Sequence, residues 1–207
     1  MTADWRARWT RTAWALGIEA DEADEAECDA VLARYAEPHR RYHTLRHLDE
    51  CFERLEPVRA RAERVGELEM ALWYHDAVYA PSASDNEARS ADLAVRTLER
   101  AGLPEGTRDR VRGLIMATRH EGVAAPGDAA LIVDVDLGIL AAEPGRFDEY
   151  EGEIRAEYAW VPGSLFRHKR REVLRGFVAR DRIYVSGAFD GDEGRARENL
   201  ARGILRL

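Results

Sequence analysis

The 207-residue chain is poor in cysteine, with only Cys28 and Cys51 and no Cys-x-x-Cys spacing. That leaves no basis for a disulfide framework, and both thiols read as small core residues of a protein kept in a reducing compartment. Lysine is rarer still: Lys169 is the only one, so the basic charge is almost all arginine. Asp and Glu total 39 against 31 Lys and Arg, a net charge of −8, which argues against broad nucleic-acid binding. It does not exclude a polyanionic small molecule, because a metal ion and a few arginines reverse the sign of a pocket locally. No apolar run approaches the roughly 18 residues a membrane span needs. The opening Met1-Thr2-Ala3-Asp4-Trp5-Arg6 also lacks the charged-then-apolar pattern of a signal segment. With no repeat, low-complexity tract or linker, residues 1–207 read as one soluble, cytoplasmic domain able to bury its own core.

What is present is helical periodicity. Trp5, Trp9, Ala13 and Leu16 recur at spacings of three and four and stop at Gly17; Cys28, Val31, Leu32 and Tyr35 repeat the pattern before Pro38. The pattern predicts helices near 3–16, 22–36, 44–57, 66–78, 86–101, 107–119, 128–140, 145–160, 164–181 and 191–205. Two stretches compete with that reading. Leu131-Ile132-Val133-Asp134-Val135 is β-branched enough for a strand, but a lone strand in a helical chain has nothing to pair with, so a buried helix is expected. Ile183-Tyr184-Val185-Ser186-Gly187 reads as an extended connector, with a turn at Asp190-Gly191-Asp192-Glu193 opening the last helix.

The chemistry-bearing residues sit inside these apolar frames. Ala71-Leu72-Trp73-Tyr74-His75-Asp76-Ala77-Val78-Tyr79 runs apolar up to an adjacent imidazole and carboxylate. Upstream, Tyr42-His43-Thr44-Leu45-Arg46-His47 sets His43 and His47 four apart, on one face if helical. Downstream, His120 ends a helical stretch, and Leu131–Leu137 encloses Asp134 and Asp136 among aliphatic residues. His47, His75, Asp76 and Asp136 are the natural set for one divalent ion, with His120 as a further donor. Imidazole with carboxylate suits Mn, Mg, Fe, Co, Ni or Zn. The plainer alternative for His75-Asp76 is a core-edge histidine hydrogen-bonded to a helix-end aspartate. Arg46, Arg89 and Arg119 are the arginines nearest these motifs and the candidates for phosphate contacts, with solvated surface as the alternative for each.

This order, a helix-borne His, then His-Asp, then a further His, then Asp, resembles the HD-domain superfamily of metal-dependent phosphohydrolases. The likeness covers roughly residues 40–140 and extends weakly, toward one bacterial branch, to Ile183-Tyr184 and Ala196-Arg197-Glu198-Asn199-Leu200. It implies an all-α bundle of about eight to ten helices, a metal-site core near 40–140 and C-terminal helices over 145–207 packed on it. It further implies hydrolysis of a phosphoester or phosphoanhydride of a nucleotide or related small phosphate. On that resemblance His43 corresponds to a proton donor for the leaving group, although Thr44 stands where relatives carry Asn. Glu87 corresponds loosely to a carboxylate that handles the attacking water, or else complements its helix dipole. His120 distinguishes two metals from one, and Asp134 either joins it or anchors a neighbouring helix. Two other readings stay open: a di-iron oxygenase of the same superfamily, for which His120 and Asp134 would have to be ligands, and a non-catalytic protein that binds a nucleotide or metal for regulation.

Overall fold

The aromatic residues that mark the helical period near the N-terminus converge on a single helix. In a computed structural model, which describes residues 4–19, 22–122 and 124–207, that helix is α4 (Val65–Tyr74), and Gly66 through Tyr74 are all buried. Around it stand α1 (Trp5–Ala15), α3 (Leu45–Leu55), α5 (Asn86–Arg100), α6 (Glu105–Ala117) and α7 (Asp128–Asp136). Trp5 and Trp9 of α1 meet Trp73 edge-on at 5.7 and 5.1 Å between ring centroids, and the Trp73 indole N–H donates to Thr12 Oγ1 at 3.1 Å. With α2 (Glu22–Tyr35), α8 (Pro144–Glu157), α9 (Gly163–Val178) and α10 (Glu193–Arg206), ten α-helices and no strand occur among the described residues. The fold is an all-α bundle.

A helix buried on every side should be apolar throughout, yet α4 carries Glu67 and Glu69. Both are paired, as burial of a charge requires. Glu69, fully buried, accepts from Arg59 Nε at 2.6 Å, Arg11 Nη2 at 3.1 Å and Thr12 Oγ1 at 3.1 Å. Glu67 takes a two-pronged grip from Arg110, both contacts at 2.7 Å.

Helix boundaries differ from the periodicity most where the chemistry lies. The helix expected over 66–78 stops at Tyr74, so His75 and Asp76 stand on its terminal turn. The helix expected from 44 starts at Leu45 with Thr44 as N-cap, its Oγ1 accepting from Arg46 N–H at 3.3 Å, so His43 precedes the helix that carries His47. A hydroxyl at the cap satisfies a free helix-end donor, and this is the job Thr44 does. The Leu131–Val135 segment is helical, within α7, and continues as a 3-10 turn over Leu137–Ala141. Residue 3, the expected start of the first helix, lies outside the described residues; Asp4 caps α1, its side chain accepting from Ala7 N–H.

Helices α8 and α10 pack on the 3-10 turn after α7, and α9 packs on α10. Ile183–Gly187 is non-helical, and its backbone donors are taken up by carboxylates: Glu193 accepts from Ile183 and Tyr184, Asp134 from Val185 at 3.0 Å and Ser186 at 2.8 Å. Asn199, buried, donates to the carbonyls of Leu140 and Ala142. The Ile183-Tyr184 and Ala196–Leu200 motifs therefore clamp the connector and α10 onto the 3-10 turn.

One glycine fixes the entry of α4. A Cβ at Gly66 would lie 2.8 Å from both the carbonyl carbon and oxygen of Ala15, backbone atoms with no freedom to yield. Gly66→Ala should force α1 and α4 apart and cost about 1–3 kcal/mol, visible as a lower urea midpoint; an unchanged midpoint would show that the close approach is not needed.

Candidate metal centre

The last carbonyls of a buried helix need partners, and meeting that need aims His75. His75 N–H bonds Ala71 O at 2.9 Å, and its ring Nδ1 donates to Leu72 O at 2.8 Å. With Nδ1 carrying the proton, Nε2 faces the interior with a free lone pair. Tyr35 Oη donates to Trp73 O at 3.2 Å and accepts from Asp76 N–H at 3.3 Å. Buried Arg40 donates to Asp76 O at 2.7 Å, Ala77 O at 3.2 Å and His43 O at 3.1 Å, tying the His75-Asp76 turn to the His43 segment.

Onto this turn α3 and α7 bring the other groups. His47 Nε2 stands 3.1 Å from His75 Nε2, 3.3 Å from Asp76 Oδ2 and 3.2 Å from Asp136 Oδ1. His75 Nε2 is 3.1 Å from Asp76 Oδ2 and 3.5 Å from Asp136 Oδ1. An ion held about 2.0–2.2 Å from N and O donors sets neighbouring donors about 3.0–3.5 Å apart, so these spacings match the edges of a coordination polyhedron. Two imidazole nitrogens facing each other across 3.1 Å also need a proton or cation between them. Donor atoms of His47, Cys51, His75 and Asp136 lie within 4.8 Å of one another, a group that could hold a metal ion. Cys51, whose Sγ is 3.8 Å from His47 Nε2, is the member that residue-type reasoning assigned to the core.

His120 joins from the turn after α6. Its Nε2 is 3.0 Å from Asp136 Oδ2, so Asp136 divides its oxygens between His120 on one side and the imidazole pair on the other. The residue sits at φ 57°, and its buried Nδ1 has no hydrogen-bond partner. Left-handed backbone is unusual for a residue with a Cβ, and here it turns the ring toward Asp136. Asp134 is not in the cluster: both its oxygens are taken by Val185 and Ser186 N–H, so it anchors the C-terminal connector.

A cleft of about 410 Å³ opens beside the cluster, lined among others by His43, Asp76, Glu87, Arg119, His120 and Asp136. His43 is held by Glu157, which residue spacing did not reveal because it lies 114 residues downstream. Glu157 Oε2 meets His43 Nδ1 at 2.8 Å and accepts from Tyr79 Oη at 2.8 Å, while Oε1 takes the successive N–H groups of Arg41, Tyr42 and His43 at 2.8, 2.9 and 3.1 Å. Burial opposes its charge, but the hydrogen bond and charge of His43 and the backbone donors outweigh burial and hold its pKa at about 2. Tyr79 stacks on the His43 ring at 4.1 Å, leaving Nε2 as the ring atom free to serve the cleft.

Arg46 and Arg89 are not brought there. Arg46 is half exposed and pairs with Glu50 and Glu149 at 3.2 and 2.9 Å; Arg89 is exposed near Asp85. Arg119 lines the cleft, with Glu121 as its partner at 2.8 Å. Glu87 occupies the first turn of α5 and also lines it. Asn86, the first residue of α5, clasps the preceding loop by a pair of 3.0 Å bonds to Ala80 N–H and O. His39 and His168 are exposed, away from the cluster.

Burial works against a charge on His47, but Cys51, Tyr42 and hydrogen bonds to Asp136 and Asp76 hold its pKa well above the usual histidine value. His75 is likewise raised: burial opposes its charge, and Asp76, Tyr35 and Asp136 overcome it. Asp76 and Asp136 are held well below the ordinary carboxylate range, burial again being outweighed, by His75 and His43 for the first and by His120, His47 and His75 for the second. Without metal, protons take the place of a cation. The histidine contribution to stability is then full below pH of about 6.5 and is lost as pH rises through the raised pKa values, whereas the carboxylate contribution is lost on acidification below about 3.9. Chelator-treated protein should therefore melt at lower temperature as pH climbs from 6 to 9, and a divalent ion should reverse the decline, binding more weakly as pH falls because it needs neutral imidazole. Thermal melts with chelator and with each metal measure this; a melting temperature flat in pH and blind to metal would count against the assignment. Compared with known proteins, the chain matches no family model, no curated protein and no solved structure.

Proposed function

We propose that this chain is a metal-dependent phosphohydrolase of the HD-domain kind, cleaving a phosphoester or phosphoanhydride bond of a small phosphate, with nucleotides the first class to test. One observation carries the reading: the His47, His75, Asp76 and Asp136 donors converge at 3.1–3.5 Å beside a cleft whose other wall presents a carboxylate-held imidazole, His43. These four residues would hold a divalent ion, Mn, Mg, Fe, Co, Ni or Zn, which when bound supplies a water acidified toward neutral pH and positive charge for a phosphate oxygen.

The chain's own residues supply the remaining roles. Glu157 keeps its charge across the range in which histidine titrates, and so fixes His43 with Nδ1–H toward itself. An imidazolium so oriented gives up its Nε2 proton to the departing oxygen. Arg119 on the cleft wall offers a cation for the phosphate, and Glu87 on the same wall is placed to accept a proton from water. His120 steadies Asp136 by its 3.0 Å contact and supports one ion per chain with a carboxylate oriented on both sides.

The commitment of Asp134 to the Val185 and Ser186 amides favours hydrolysis over di-iron oxygen chemistry, which would call on that carboxylate. Non-catalytic binding would leave the Glu157–His43 pair without work, and it predicts ligand binding without turnover.

The experiment is a phosphate-release screen over nucleotides and sugar phosphates, with chelator-stripped protein given Mn, Mg, Co or Ni in turn. Turnover dependent on metal is the expected result; tight nucleotide binding without turnover would favour the regulatory reading. On a substrate so found, His43→Gln should retain the metal and lose about 10²–10⁴ in kcat. The loss should be full for an alkyl or ribose ester and much smaller for an aryl ester, whose leaving group needs no proton. Equal losses on both would make His43 a positioning residue, and loss of metal would make it a ligand.

A further inference from the structure

Asp136 faces two clefts. Besides the one lined by His43, a second of about 500 Å³ is lined by His47, Cys51, Arg54, Asp136 and Arg146 among others. Cys51 reaches the metal cluster from this second side, whereas Asp76 reaches it from the first. His47 and Cys51 are four residues apart on α3, which stacks them on one helical face. The sulfur lies 3.8 Å from both Nδ1 and Nε2 of His47, and within 4.8 Å of the donors of His75 and Asp136. An ion about 2.3 Å from sulfur and about 2.0–2.1 Å from nitrogen places S and N about 3.5 Å apart. The observed spacing is close to that edge.

A buried cysteine is commonly a small hydrophobe, and Cys28 shows what that looks like here. It is buried on α2, away from the cluster, with its thiol pushed up to about 12 by burial and by Asp29 and Asp24. Cys51 differs in position: its neighbours include three nitrogen and oxygen donors that already converge.

We propose that Cys51 is a protein ligand of the same ion, making the centre a mixed imidazole, carboxylate and thiolate site that takes Zn, Co, Fe or Ni in preference to Mg or Mn. The inference rests on the metal-dependent reading above and narrows it. On binding, the thiol gives its proton to solvent and the thiolate becomes the donor. Softness then sorts the metals, since thiolate ligands favour the later, more polarisable ions.

The test is titration of chelator-stripped protein with Co(II), read by absorbance and by elemental analysis. Wild type should bind one Co(II) per chain and show a near-ultraviolet thiolate-to-cobalt band. Cys51→Ser should keep Co(II) but lose the band, with Zn(II) affinity falling at least about tenfold and Mn(II) affinity little changed; Cys28→Ser should keep the band. Should Cys51→Ser fail to fold, alkylation of wild type gives a second readout, in which bound Zn(II) protects Cys51 and leaves the rate at Cys28 unchanged. Full Co(II) occupancy without the band, a band that survives Cys51→Ser, or no protection by Zn(II) overturns the ligand assignment alone. Absence of any Co(II) or Zn(II) binding overturns the metal reading, and this proposal with it.

Discussion

A helix that ends inside a protein must satisfy its last carbonyl groups there, and that constraint shapes this molecule around α4. Its final four carbonyls are all accounted for: Ala71 by His75 N–H, Leu72 by His75 Nδ1, Trp73 by Tyr35 Oη and Tyr74 by Ala77 N–H. Two of the four bonds come from His75 itself. The residue that closes the helix is thereby the residue whose other ring nitrogen points into the cluster, so capping the helix and aiming Nε2 are one arrangement.

The turn so formed would still be mobile if only local bonds held it. Arg40 removes that freedom by gripping the carbonyls of Asp76, Ala77 and His43 together, with its own charge answered by Glu37 at 3.1 Å. Glu157 performs the matching service on the other wall, gathering three successive backbone N–H groups, the His43 ring and the Tyr79 hydroxyl. Both devices use one charged group to neutralise several backbone dipoles in a buried place, where such bonds are strong and an unpaired group is costly. The distance from cluster to His43 is set by this pair of clamps rather than by the length of any one helix.

The electrostatics follow from the same closeness. Carboxylates and imidazoles a few ångströms apart, out of water, are stable only with positive charge among them, carried by protons or by an ion. The acidic balance of the whole chain is no obstacle to a phosphate ligand, since the potential in the cleft depends on the few groups lining it.

Much of this was legible in the residues alone. The 3.6 period placed ten helices close to where they stand, because burial of one face is a local pattern that a helix repeats. His47, His75, Asp76 and Asp136 were recognisable as a set because ionisable side chains inside apolar frames demand a shared reason. The same logic misjudged the ends of α3 and α4, where caps and turns override propensity, so that His43 stands before α3 and does not share a helical face with His47. Asp136 read as a ligand and Asp134 as either ligand or anchor, two residues apart in one buried run; packing turns Asp134 to the Val185 and Ser186 amides and Asp136 to the histidines. Arg40, Glu157 and Cys51 carried no signal of their own, since an arginine, a glutamate or a buried cysteine is ordinary until its neighbours are known. The sequence determined that the chain folds as helices around an apolar α4 and that imidazole and carboxylate groups are buried with it, because both follow from local pattern. The tertiary structure decided which of those groups meet, at what distance and with what support, because contacts between residues 43 and 157, or 47 and 136, exist only after the chain has closed on itself.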